Sequence, residues 1–287
     1  MSRLVFGLLW YVHGLPLASL SRLGAAAGEL MFRLVAERRK VTRINLARCF
    51  PELDDAARER LARAHWRAFV RAFVERGILA WGSRERVART VRLEGLEHLP
   101  REGRVILFAP HFVGLDMGFT RIALEHDVAM LHSRQKDPRF EAMLERSRSR
   151  FGRAHLYTRQ QGLRASLAAL EGGAYYYYLP DLDYGLHRAV FVPFFDVPAA
   201  TITGLPFIAG ETGAKVVPCV TRMLPGGEGY VTRFYPAWTD FPGPDPAADA
   251  RRMNAFIEER IREMPEQYFW LHKRFKTRPE GEANFYA

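Results

Sequence analysis

From residue 104 onward the chain repeats one pattern, a short apolar run followed by a stretch of helical period. The pattern predicts strands at 104–109, 127–132 and 155–157, each followed by a helix, at 114–125, 138–151 and 162–171. AYYYYLPD reads as a further strand ending at Asp181, and KVVPCVTRML and YVTRFYPAW as strands divided by the turn PGGEG. Residues 201–211 and 247–264 read as helices. Parallel strands need long crossovers and helices supply them, so this alternation predicts an α/β fold. The expected architecture is a single domain with a mixed, largely parallel central sheet flanked by helices. Upstream, residues 56–79 form one amphipathic helix, with Leu61, Trp66, Phe69, Val70 and Phe73 at three- and four-residue spacing. No internal repeat or low-complexity tract interrupts the chain, and PGPDP at 242–246 is too short to serve as a linker.

The N-terminal end is the most apolar part, and it sets the domain division: an anchor segment at 1–27 and a catalytic body at 28–287. Residues 4–20 are marginal in length for a bilayer span and contain His13, Gly14 and Pro16. A signal peptide cleaved after the AAA of 25–27, a buried core helix and a membrane anchor are the competing readings. The anchor is favoured, because Trp10 and Tyr11 suit an interface and the basic run ERRKVTR follows closely. Those cations place the following body on the cytoplasmic face of the inner membrane. Two cysteines, Cys49 and Cys219, give neither a disulfide framework nor a metal cluster.

A net charge of +10 calls for an anionic partner, although an arginine-rich genome explains the same number. All but five of the 42 cations are arginine, the better fork for phosphate and carboxylate. Nucleic acid is a rival partner, but no nucleic-acid-binding module pattern is present.

The stretch RVILFAPHFVGLD holds the main candidate chemistry. Pro110 ends the strand, His111 follows at its carboxyl end, and Asp116 falls in the first turn of the next helix. The helix dipole favours an ionised acid there. A carboxylate reaching back to one imidazole nitrogen would leave the other as a general base. The competing readings are a core histidine bonded to a carbonyl and a metal ligand. The second lacks further His or Cys at ligand spacing, so no metal and no cofactor are expected.

The chain resembles the lipid A biosynthesis acyltransferase family, the lauroyl and myristoyl enzymes of Gram-negative envelopes. The likeness rests on RINLARCFPEL, HFVGLD as the family's H-x4-D/E motif, LPDLDYG, VFVPFFDVPAATITG and PEQYFWLHKRFKTRPEG. Two positions depart from the pattern: Pro110 precedes the histidine where many relatives have Asn, and Asp116 stands where others have Glu. The resemblance implies a glycerolipid acyltransferase-like fold. It also implies acyl transfer from acyl carrier protein to a hydroxyl of an anionic glycolipid, with His111 and Asp116 as the catalytic dyad and no acyl-enzyme. By the same likeness Arg150 binds phosphate or supports the oxyanion, and Asp181 is a site residue that orients an arginine or the sugar. Asp183 flanks it, and Arg159 and Arg164 are further candidates for the acceptor's phosphates. A different envelope lipid as acceptor, or a non-catalytic basic membrane protein, are the alternatives.

Overall fold

The computed structural model describes residues 2–158 and 161–287. The N-terminal third is helical: α1 (Ser2–Val12), α2 (Leu17–Leu34), α3 (Ala36–Cys49), α4 (Asp55–Trp81) and α5 (Arg84–Thr90). Then come β1 (Val91–Glu94), β2 (Val105–Phe108), α6 (Leu115–Ile122), β3 (Val128–His132), α7 (Pro138–Ser149), β4 (Ala154–Thr158), α8 (Leu163–Glu171) and β5 (Tyr175–Tyr178). The remainder is β6 (Ala189–Phe194), β7 (Val197–Ile202), α9 (Gly204–Thr212), β8 (Lys215–Met223), β9 (Tyr230–Phe234) and α10 (Pro246–Glu263). The main sheet runs β1-β9-β8-β2-β5-β3-β4, parallel throughout except between β8 and β9. This is the mixed, largely parallel sheet that the alternating pattern predicts. Its central strands are buried on both faces, as crossover helices require: all four residues of β2 are buried.

Two segments differ from the sequence expectation. Thr201 and Ile202 belong to β7, not to a helix, and β6 and β7 form a separate antiparallel hairpin. Pro193 and Pro198 sit opposite one another in it, and prolines argue against a strand when only the sequence is read. The turn is Phe195–Asp196, both at positive φ (49° and 61°), as a two-residue hairpin loop of matching twist demands.

The second difference is at the N-terminus, where the single apolar helix is replaced by two. Pro16 stands just before α2 in extended conformation (φ −53°, ψ 144°), so α1 and α2 are separate rods. Among the described residues no helix is long and apolar enough to cross a membrane. The segment GAAAG at 24–28 is a packing seam within α2, which runs on without interruption past residue 27. A Cβ on Gly24 would lie 2.5 Å from the Arg71 Cα, and one on Gly28 would lie 2.6 Å from the Arg67 Cα. Small residues spaced four apart thus let α2 and α4 touch backbone to backbone, burying Leu20 and Phe32 beside them. Residues 17–34 are part of the folded body, and only α1 leaves most of its apolar side chains in the open, with Leu9 its one buried anchor.

The seam gives a direct test. Gly24→Val should destabilise the protein by about 1–3 kcal/mol through overpacking. Ala26→Val, on the exposed side of α2, should stay within about 0.5 kcal/mol. Thermal unfolding of both variants followed by circular dichroism checks the difference.

Candidate active site

Strand order assembles the site. β2 and β5 lie side by side and parallel, with Phe108 opposite Tyr178. Each then leaves the sheet through a proline, Pro110 and Pro180, and His111 and Asp181 follow at matching positions. The result is a direct contact: His111 Nδ1 lies 2.7 Å from Asp181 Oδ1, and the His111 backbone N–H donates to the same carboxylate at 3.0 and 3.2 Å. Asp181 is 1% exposed. Burial alone would raise its pKa, but the imidazole, the two bonds from His111 and the Tyr268 hydroxyl hold it below the usual carboxylate value. An ionised Asp181 fixes the proton on Nδ1, so Nε2 is left as an acceptor. Phe269 stacks on the His111 ring (6.2 Å, 25°) and His272 stacks on Phe269 (6.4 Å, 18°), which holds the imidazole in one plane. Burial and the neighbouring His111 push the His272 pKa down to about 4, and its Nε2 accepts from the Asp183 N–H at 3.0 Å.

His111 opens into a cavity of about 740 Å³, within the size range of small-molecule sites. Its walls are mostly apolar, among them Phe69, Phe73, Phe140, Leu163, Ile202 and Ile208. Arg76, Asp116 and Arg148 form a charged patch on the same wall.

Asp116 is not the partner of the imidazole. It sits in the first turn of α6, 5% exposed, with its carboxylate committed to two arginines from other helices. Arg148 of α7 approaches Oδ1 through Nε at 2.8 Å and through its terminal nitrogen at 2.7 Å, and Arg76 of α4 bonds Oδ2. Burial favours the neutral acid here, yet the two guanidiniums outweigh it and hold the Asp116 carboxyl well below the ordinary range. The carboxylate bonded to the imidazole is therefore that of Asp181. Asp116 organises a pair of cations instead.

The arginine assignment also changes. Arg146 and Arg150, four residues apart on one face of α7, both donate to the Ala80 carbonyl at the end of α4 (3.1 and 3.3 Å), and Arg150 also bonds Gly82 O. Arg148 lies two residues from each, on a different face, and it alone of the three reaches the cavity. Asp183 is 3% exposed and fully engaged, accepting from Gly185 N (2.9 Å), Thr277 N (2.6 Å) and Thr277 Oγ1 (2.7 Å). It clamps the loop after β5 to the C-terminal segment and has no face for a substrate. Arg164 is exposed near the start of α8 and does not line the cavity. Arg159 lies outside the described residues.

Residues 1–277 match the profile of the bacterial lipid A biosynthesis acyltransferase family. The chain belongs to that family. It is 33% identical over 285 residues to the lipid A biosynthesis lauroyltransferase of Escherichia coli (strain K12), covering 98% of this chain and 92% of that protein. To the lipid A biosynthesis myristoyltransferase of the same organism it is 32% identical over 277 residues, 93% of this chain and 83% of that one. Among solved structures it is similar to the 1-acyl-sn-glycerophosphate acyltransferase of Thermotoga maritima, at TM-score 0.37 and 16% identity, over 84% of this chain and 97% of that chain. Membership makes the protein an O-acyltransferase with a lipid acceptor.

Three residues of this arrangement are not placed by sequence alone: Asp181 beside His111, and Arg76 and Arg148 on Asp116. Asp181 was visible as a site residue, and the repetition of Ala-Pro-His and Leu-Pro-Asp at two strand ends was the signal that could have paired it with His111. Nothing local marks Arg76 or Arg148 among so many arginines.

These contacts separate variants sharply. Arg148→Ala should lower turnover and also destabilise the protein, since breaking a buried pair costs about 3–5 kcal/mol. Arg150→Ala should act on stability alone by freeing the end of α4, with the rate of correctly folded enzyme near normal. Steady-state rates normalised to the folded fraction, together with melting temperatures, distinguish the two.

Proposed function

We propose that this acyltransferase moves a fatty acyl chain from an acyl carrier protein thioester to a hydroxyl of a lipid A precursor in late acylation. His111 serves as the general base. The observation that carries this reading is the Asp181–His111 pair at the mouth of a large apolar cavity. In the step envisaged, Nε2 takes the proton of the acceptor hydroxyl as its oxygen attacks the thioester carbonyl. Asp181 steadies the imidazolium that forms. Collapse of the tetrahedral intermediate breaks the C–S bond, and the proton passes from Nε2 to the departing thiolate. Two guanidiniums against one carboxylate leave the Arg76–Asp116–Arg148 patch a net positive charge, suited to the developing oxyanion or to a phosphate of the substrates.

Direct transfer fits the residues available. Cys49 and Cys219 are buried, do not line the cavity, and have thiols pushed well above their ordinary pKa by burial. Neither is a nucleophile, and no covalent acyl-enzyme is needed. The apolar lining suits an acyl chain.

The acceptor is a membrane lipid, and α1 is the element suited to meet it. Leu4 (80% exposed), Leu8 (61%), Trp10 (58%) and Tyr11 (79%) face outward from a helix of 11 residues, a length for lying in an interface and not for crossing it. Exposed Leu23, Leu30 and Leu34 continue the apolar surface along α2. We place this face on the cytoplasmic side of the inner membrane, where acyl carrier protein would have access.

The central test is mass spectrometry of lipid A from cells with and without the gene, complemented by wild type, His111→Ala or Asp181→Asn. Loss of one acyl chain, restored by wild type alone, is expected; an unchanged acyl count would point to another envelope lipid. With purified enzyme, both variants should fall by roughly 10² to 10⁴-fold in rate. Deleting residues 2–14 should weaken binding to anionic vesicles while leaving the melting temperature nearly unchanged. Deleting residues 2–27 should unfold the protein, because that cut removes half of the α2–α4 seam.

A further inference from the structure

β3 ends at His132, one strand beyond the Asp181 strand, and α7 returns over it carrying Glu141 and Glu145 on one face. One ligand atom from each of the three residues lies within 4.8 Å of the other two. His132 Nδ1 and Glu141 Oε1 are 3.7 Å apart, too far for a hydrogen bond. Glu141 is 9% exposed. Its Oε2 accepts from Gln135 N at 2.9 Å, but Oε1 is buried with no partner. Among the described residues neither glutamate pairs with an arginine or lysine, although such residues abound in this chain. An ionised carboxylate oxygen buried without a donor is costly. Something cationic between these groups would remove that cost.

We infer that His132, Glu141 and Glu145 bind one divalent transition-metal ion, Zn²⁺ or Mn²⁺, beside the cavity that His132 lines. The spacing suits one, since metal–ligand bonds of roughly 2.0–2.2 Å place ligand atoms about 3–4 Å apart, and a small closure of the exposed Glu145 side chain completes the set. The donors also favour this class over Mg²⁺ or Ca²⁺, which prefer an all-oxygen shell. Three protein ligands leave coordination positions open, and His132 lines the same cavity as His111. The ion would clip the end of β3 to α7, the helix that carries Arg148, neutralise the two carboxylates and offer its open coordination positions to an anionic substrate. The site is independent of the identity of the acyl acceptor.

The test uses the full chain, with any affinity tag removed, stripped with chelator and dialysed against micromolar Zn²⁺. Bound metal is counted by plasma mass spectrometry, and Co²⁺ substitution reports the ligand field by visible absorption. One equivalent of Zn²⁺ and a Co²⁺ spectrum are expected. Losing an outer-shell partner typically costs roughly 10–100-fold in affinity, so losing a ligand through His132→Gln, Glu141→Gln or Glu145→Gln should cost at least about tenfold. Glu145 is exposed, so its variant folds even if the buried ones do not. His155→Gln, removing an exposed histidine on β4, should change nothing. Absence of stoichiometric metal in the wild type, or wild-type affinity in Glu145→Gln, would overturn the site.

Discussion

The pairing of β2 with β5 is the constraint from which the site follows. Because the strands are parallel neighbours, their carboxyl ends emerge together, and Phe108 opposite Tyr178 brings His111 to Asp181 with no further adjustment. Pro110 and Pro180 cannot donate to the ladder, so both chains turn out of the sheet at the same level. The C-terminal segment then closes the arrangement from outside. Tyr268 bonds the Asp181 carboxylate, Phe269 stacks on the imidazole, and Thr277 and His272 hold Asp183 two residues further on. A histidine 15% exposed at its side chain is thereby fixed in plane and tautomer before any substrate arrives.

The second centre, Asp116, does for the helices what the strand pairing does for the sheet. One buried carboxylate draws Arg76 from α4 and Arg148 from α7 to the first turn of α6. Taking three charges out of water is expensive, and such clusters contribute little net stability. Their value lies in position: the guanidiniums cannot leave without stranding the acid, so the cavity wall keeps its charge at a set place. A shorter acid than Glu at this position is consistent with that task, since the arginines come to Asp116 and it need not reach the imidazole.

The sheet strands and their crossover helices were legible because period and length sufficed, with β2, β3, β5 and α7 each falling within a few residues of expectation. His111 was legible because a strand end is where polar groups gather. Its partner was not, because Asp116 is near in sequence and Asp181 is 70 residues away. Nearness in that case depends on which strand lies beside β2, and the pattern of runs does not fix strand order. Arg150 and Arg148 differ only in which face of α7 they occupy, which is decided by how the helix packs on α4 and α6. The apolar N-terminus misled for a related reason. Composition alone cannot tell a helix apolar toward lipid from one apolar toward α4, and the AAA of 25–27 fits a signal-peptide cleavage site until the close approach of the flanking Gly24 and Gly28 to Arg71 and Arg67 is known.

The net charge of +10 also changes meaning once the arginines are located. Arg71, Arg148, Arg260 and Arg274 are each less than 9% exposed. Arg274 is the extreme case at 2%, donating to Ala200 O (2.9 Å) and Thr201 Oγ1 (3.2 Å) with its guanidinium 4.9 Å from the centre of the Phe194 ring. Arg58, Arg146 and Arg150 likewise spend their donors on backbone carbonyls at the ends of α3 and α4. The planar fork that suits arginine to phosphate suits it equally to bracing carbonyl groups that a helix leaves unpaired. Much of the basic composition is therefore internal scaffolding. The attraction to an anionic surface has to come from the cations that remain in water, and Arg22 and Arg33, exposed on α2 beside Leu23 and Leu34, lie where the apolar surface continuing from α1 needs them.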